Sequence, residues 1–308
     1  MKNSRKILLL AAIIALLAGA GLAQVWREGF PGSQRWPRDV SPIVHTEGGD
    51  EVNEDTVRTA RETATHSTGT PDWTNEPGFE KDVFTFTRII YKFDTRPGPA
   101  WLAWINDYPD ADLNLSYRLQ QMTSMKVDPD GRVLKLSSPD LLDFPFIYVV
   151  KPGRFVLRDE EVPILRKYLL NGGVLMVDDF WGDRPWRNFE NEMKRVLPER
   201  AWTELPMDHP LFHCVFDIKA AKKDLQVPNI HTYERTGRSS SRAALDAQEM
   251  HVRAWLDDRQ HIMVIATHNT DNGDGWEREG EEHEYFQTFS EQRAYPLGIN
   301  IIFYSMTH

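Results

Sequence analysis

Two short segments of this chain limit its fold more than anything else in it. Residues 146–150 (Phe-Ile-Tyr-Val-Val) and 174–177 (Val-Leu-Met-Val) are continuous apolar runs. A strand without a polar face has to be covered on both sides, as in a parallel sheet held between helices. Between the two runs, Val162, Leu165, Leu169 and Leu170 recur at helical spacing, which predicts an amphipathic helix over 159–171. Gly172-Gly173 supplies its stop.

The rest of the C-terminal three quarters fits this pattern. Residues 83–92 (VFTFTRIIYK) alternate and are rich in β-branched and aromatic side chains, so they read as a strand. Leu115, Leu119 and Met122 place a helix over 113–122, and residues 186–197 form another, ended by Pro198. Residues 215–218 read as a strand. Residues 252–256 and 262–267 flank Asp257-Asp258-Arg259 and read as a hairpin. Residues 297–306 read as a closing apolar helix. Buried strands alternating with helices predict an α/β fold. Its mostly parallel sheet would carry helices on both faces, plus a C-terminal hairpin and helix.

Lys2, Arg5 and Lys6 precede an uncharged apolar run over 7–23 that ends in small residues. This is the pattern of a secretory signal peptide, with an uncleaved membrane anchor as the alternative. The positive end stays inside either way, so the remainder is expected outside the cytoplasm, periplasmic or extracellular. Residues 24–80 are rich in Pro, Gly, Thr and charge, and read as a poorly ordered linker. A thin stripe of Val52, Val57, Ala60 and Ala64 allows a weak helix there. Trp26, Trp36 and Trp73 either dock on the domain or stay partly solvated. The folded domain is expected over 81–308.

Charge and composition narrow the function classes. With 36 Lys plus Arg against 46 Asp plus Glu, the chain lacks the basic field that nucleic-acid binding needs. One Cys excludes an internal disulfide framework and a Cys-rich metal site. No phosphate loop, dinucleotide fingerprint, nucleophile elbow or zincin motif occurs.

The carboxylates that remain lie at chosen places. Asp178-Asp179-Phe180-Trp181-Gly182-Asp183 directly follows an apolar strand, where ligands of open α/β sheets bind. Asp178 and Asp179 there can hold a hard cation or act as a base; alternatively, one caps the next helix and the other faces water. His209, before Pro210, is either a base or ligand or simply orders a turn. Asp107, Asp110, Asp112 and Asn114 precede a helix, where capping accounts for acidic residues. The 268–276 loop, with Asp271 and Asp274, is calcium-like but fails the EF-hand register. The run 277–284 (EREGEEHE) reads as a solvated charge face. Arg88 and Tyr91 face opposite sides of their strand. Cys214 follows His213, but strand neighbours point apart, so it reads as an inert thiol.

Phe84-Thr85-Phe86-Thr87-Arg88 with Tyr91, Asp110-Ala111-Asp112-Leu113-Asn114, Tyr168-Leu169 before Gly172-Gly173, Asp178-Asp179, His209-Pro210 and Leu297-Gly298-Ile299-Asn300 occur in that order. Together they resemble the bacterial family of domain of unknown function 4159, across about 81–308. That family looks similar to class I glutamine amidotransferase-like domains, which implies a three-layer, flavodoxin-like α/β fold. In true amidotransferases a Cys occupies the turn after the strand corresponding to 174–177. Asp178 and Asp179 stand there in this chain, so that nucleophile is absent. The resemblance places a ligand site around Arg88, Asp112, Asn114, Asp178, Asp179, Trp181, His209 and Asn300. Two expectations follow. The first is an exported, non-catalytic domain binding a small ligand or an envelope protein, without nucleic acid, and meeting a membrane only through its N-terminal segment. The second is a hydrolase using Asp178 or Asp179 with His209. A divalent cation is possible in it, with Asp178, Asp179, Asp271 and Asp274 as candidate ligands.

Overall fold

A computed structural model describes residues 42–78, 82–92, 104–236 and 246–308. The expected signal or anchor, Trp26 and Trp36 lie outside the described residues. The core is a seven-stranded sheet. In chain order its strands are β3 (Thr87–Ile90), β4 (Arg132–Lys135), β5 (Phe146–Val150), β6 (Val174–Asp178), β7 (Trp202–Glu204), β8 (His251–Leu256) and β9 (Ile262–His268). Across the sheet the order is β4-β3-β5-β6-β9-β8-β7. The pairs β3–β4, β3–β5, β5–β6 and β6–β9 are parallel, while β8 runs antiparallel to both β9 and β7.

The apolar runs behave as their composition requires. Every residue of β5 and β6 is buried. On one face Ile147, Val149, Leu175 and Val177 pack with Leu165 and Leu169 of α2 (Glu161–Leu170) and with Phe189 and Met193 of α3 (Asp183–Val196). On the other, Phe146, Tyr148, Val150 and Met176 meet Leu115 and Leu119 of α1 (Asp110–Met122). That face also holds Leu297 and Ile301 of the last helix, which after α4 (Ile230–Thr236) and α5 (Asn272–Glu277) is α6 (Tyr295–Thr307). The result is three layers, helix–sheet–helix. Burying such strands stabilises by about 25 cal/mol per Å² of apolar surface. The 251–268 hairpin is part of the sheet itself, because β9 completes the parallel row beside β6.

Two expectations fail. Residues 215–218 form no strand: the Asn300 side chain takes the backbone N–H groups of Val215 and Phe216 at 3.2 and 2.8 Å. Residues 42–78, expected as loose linker, pack on the domain. A short hairpin, β1 (Ile43–His45) and β2 (Glu51–Asn53), opens this arm. Val52, Val57 and Ala60 join the core, whereas Ala64 is exposed, so the spacing follows the domain surface and not a helix. Trp73 docks, its Nε1–H donating to the Val127 carbonyl at 2.9 Å. Asp110 at the start of α1 accepts from the backbone N–H groups of His66 and Ser67 at 2.9 and 3.2 Å. Burial of a few scattered side chains plus such bonds replaces the entropy that composition alone could not offset.

Candidate functional site

β3 has β4 on one side and β5 on the other, so the crossovers leave in opposite directions at this point. Crevices at the carboxyl ends of strands form where that happens. A cavity of about 880 Å³ lies at that edge. Its walls include Asn106, Asp107, Lys151, Asp179, Trp181 and Asp271, and His45, Thr46 and Glu47 of the arm.

Four turns shape this edge, and each turns through a non-glycine residue in the left-handed region. These are Asp107 (φ 60°) after β3, Lys151 (φ 52°) after β5, Asp179 (φ 58°) after β6 and Asn269 (φ 62°) after β9. Such backbone costs of order 1–3 kcal/mol per residue and gathers at functional sites. Here each turn fixes a polar side chain. Lys151 Nζ forms an ion pair with Asp179. Trp181 Nε1–H donates to Asp179 Oδ1 at 3.1 Å. Asn269 Oδ1 accepts from the Gly182 N–H at 2.8 Å, which holds the loop that carries Trp181.

The carboxylates converge. One oxygen each of Asp107, Asp179 and Asp271 lie within 4.8 Å of one another, and so do those of Asp107, Asp274 and Glu277. All five residues are buried. Burial pushes the carboxyls of Asp107 and Asp271 well above the usual range, and the charge of Asp179 adds to both shifts. Burial pushes Glu277 up as well, with Asp107 and Asp274 reinforcing it. Asp274 is pushed up to about 6 by burial, held back by Arg278 and the Ile230 N–H. Burial works against the charge of Lys151, but Asp179, Asp271 and Asp107 hold its pKa above the ordinary value.

Asp178 has a different job. Its oxygens accept from Asn272 Nδ2 (2.8 Å), the Gly273 N–H (2.9 Å) and Thr267 Oγ1, which anchors the start of α5 to β6. Burial raises its carboxyl to about 7 against those bonds. Gly273 has to be glycine, since a Cβ there would stand 2.3 Å from Asp107 Oδ2 and 3.2 Å from the Tyr148 hydroxyl.

The expected site residues separate into three groups. Asp178, Asp179, Trp181, Asp271 and Asp274 come together at this edge. Arg88, Asp112 and Asn114 support it from behind. Arg88 pairs with Asp112 at 2.9 Å and donates to the Trp104 and Asn106 carbonyls at 2.8 Å, which fixes the loop bearing Asp107. Asn114 Nδ2 donates to the Trp276 carbonyl at 2.9 Å, at the end of α5. The third group is not brought to the cavity. His209 accepts from the Leu211 N–H at 3.2 Å and packs on Tyr304, so it does not pair with Asp178 or Asp179. Asn300 is spent on residues 215 and 216. Cys214 Sγ contacts the Leu211 and Asn300 carbonyls, while His213 pairs with Asp217, so no Cys–His couple forms.

Asp107, expected to cap a helix, and Glu277, expected in a solvated run, are both buried in the cluster. Lys151 joins them without having been expected there; its signal is a lone cation directly after the apolar strand β5.

Residues 85–306 match the family described as domain of unknown function (DUF4159). No curated protein matches the chain.

Proposed function

The chain belongs to the DUF4159 family, a domain of unknown function, and from that premise we propose that it is an exported binding domain for a small, donor-bearing ligand. The observation that carries this reading is the convergence of Asp107, Asp179 and Asp271 with the ammonium of Lys151 on the cavity floor. Among these four groups carboxylates outnumber the ammonium three to one, which favours a cation, an amine or a hydroxyl-rich molecule beside them. The cavity's size suits a small molecule. The resemblance to amidotransferase-like domains supports the same edge as the binding edge, with Asp179 at the turn where those enzymes carry their nucleophile. Export rests on the N-terminal pattern. Among the described residues no helix is long and apolar enough to cross a membrane.

The test is the melting temperature of the full chain with putrescine, glucosamine and sorbitol. A stabilising compound whose effect vanishes in Asp271→Asn supports the reading. No shift with any of them, or an unchanged shift in the variant, ends it. Export is checked by fractionation and the mass of the secreted chain; a cytoplasmic chain retaining Met1 rejects it.

A hydrolase is the second reading, favoured by one observation: carboxyls raised by burial stand beside an ion-paired carboxylate, the arrangement that separates acid from base. It would use Asp107, Asp179 and Asp271, without His209. Turnover of chromogenic glycosides or esters that Asp271→Asn abolishes would support it.

A further inference from the structure

We propose that the carboxylates at this edge form a site for two divalent cations that share Asp107. The inference rests on the acceptor-rich floor proposed above and names a cation as what those oxygens hold. The outer position lies among Asp107, Asp179 and Asp271 at the cavity floor, and the inner one among Asp107, Asp274 and Glu277.

Geometry comes first. Oxygens coordinating one Ca²⁺ at about 2.3–2.6 Å stand up to roughly 5 Å apart. Both triplets have that span, since each set lies within 4.8 Å. The ligands are all carboxylate oxygens, the donor set of hard cations such as Mg²⁺, Mn²⁺ and Ca²⁺.

Charge comes second. Six buried carboxyl groups, those of Asp107, Asp178, Asp179, Asp271, Asp274 and Glu277, gather here. Among the described residues the basic side chains paired with them are two, Lys151 on Asp179 and Arg278 at 3.0 Å from Glu277 Oε2 and 3.9 Å from Asp274 Oδ1. Carboxyls gathered in such excess are costly to ionise without a compensating charge, which bound cations supply.

The third observation is independent of the acid count. The Tyr148 hydroxyl is fully buried and has no hydrogen-bond partner among the described residues, and neither has Asp107 Oδ2. Both face the Cα of Gly273, the spot where a Cβ would collide with them. Buried polar atoms are rarely left unmet. Here the unmet oxygens stand beside the residue common to both triplets. A cation that Asp107 holds through Oδ2 gives that oxygen a partner.

The test strips the full-length chain with chelator and titrates it with Mn²⁺ by calorimetry. Two ions per chain are expected. Asp271→Asn should keep the inner ion and Glu277→Gln the outer one. Asp107→Asn should weaken both, by about 100-fold. Circular dichroism checks that each variant folds. Electron paramagnetic resonance of the loaded wild type adds a readout that needs no variant: two ions sharing one carboxylate give an exchange-coupled spectrum, whereas an uncoupled signal overturns the sharing. The proposal also fails if no Mn²⁺ binds up to about 1 mM. One ion per chain, or Asp107→Asn binding like wild type, is equally fatal. Stabilisation by putrescine through Asp271 without Mn²⁺ binding would leave the ligand pocket standing and remove only the cations.

Discussion

Arg88 and Asp107 are both buried beside α1, and both belong to charged arrays, but the arrays follow opposite rules. Around Arg88 every nitrogen is matched: Nε and Nη2 meet Asp112, and Nη1 meets the Trp104 and Asn106 carbonyls. The guanidinium also lies 5.1 Å from the Tyr148 ring centroid. Charge and hydrogen bonds both close. Around Asp107 neither does, because carboxylates outnumber cations and Oδ2 has no partner among the described residues. The first array holds a loop in place; the second is what the loop presents. A fold tolerates an unbalanced buried cluster only where surrounding structure over-determines it, and the four left-handed turns with the Arg88 clamp provide that.

The contrast can be broken from the Arg88 side first. Arg88→Met leaves Asp112 buried without its cation and should cost about 3–5 kcal/mol in urea melts. A loss under about 1 kcal/mol would mean that the clamp is ornamental.

The second effect depends on pH. Asp178 titrates at about 7 in the folded chain, against 3.8 ordinarily. The folded state therefore binds the extra proton between those values. Its contribution is fully present below pH 3.8 and is lost as pH rises through about 7, at up to about 1.4 kcal/mol per pH unit. In chelator, Asp178→Asn should flatten that part of the stability curve; equal slopes in variant and wild type would refute the assignment.

Asp107→Asn sharpens the comparison by its sign. In chelator at pH 8 it should stabilise by about 1 kcal/mol, because it removes an uncompensated acid. A clear loss would show that the second array is as well balanced as the first.

The smallest effect lies at the rim. Glu47 bridges His231 and Arg278, both at 2.9 Å, from the half-exposed arm hairpin. Glu47→Gln should cost less than about 1 kcal/mol and fade in high salt. A salt-independent loss would make the arm a true wall of the cavity.

What could be read in the sequence followed the same division. Continuous apolar strands, the glycine stop after α2 and the carboxylates after β6 are local patterns, and each survived in the folded chain. The arm was misread because Val52, Val57, Ala60 and Trp73 are buried one at a time against a surface made elsewhere, which leaves no period to detect. Glu277 was misread because a run of charges carries no mark of the one member that points inward. His209 failed for a related reason: Asn300 and Tyr304, far along the chain, decide where its loop lies. Lys151 was legible in principle, since a cation ending a buried strand has to find an anion.

The left-handed turns also limit which sequences can carry this cavity. At φ near +60° glycine is free and Asn or Asp is tolerated, whereas a β-branched side chain is strongly disfavoured. Three of the four positions, 107, 179 and 269, hold Asp or Asn. The backbone alone thus filters them toward residues whose short side chains bear an oxygen. A chain that keeps these turns keeps an oxygen-lined floor nearly by default, and can drift in chemistry between acid and amide without rebuilding its scaffold.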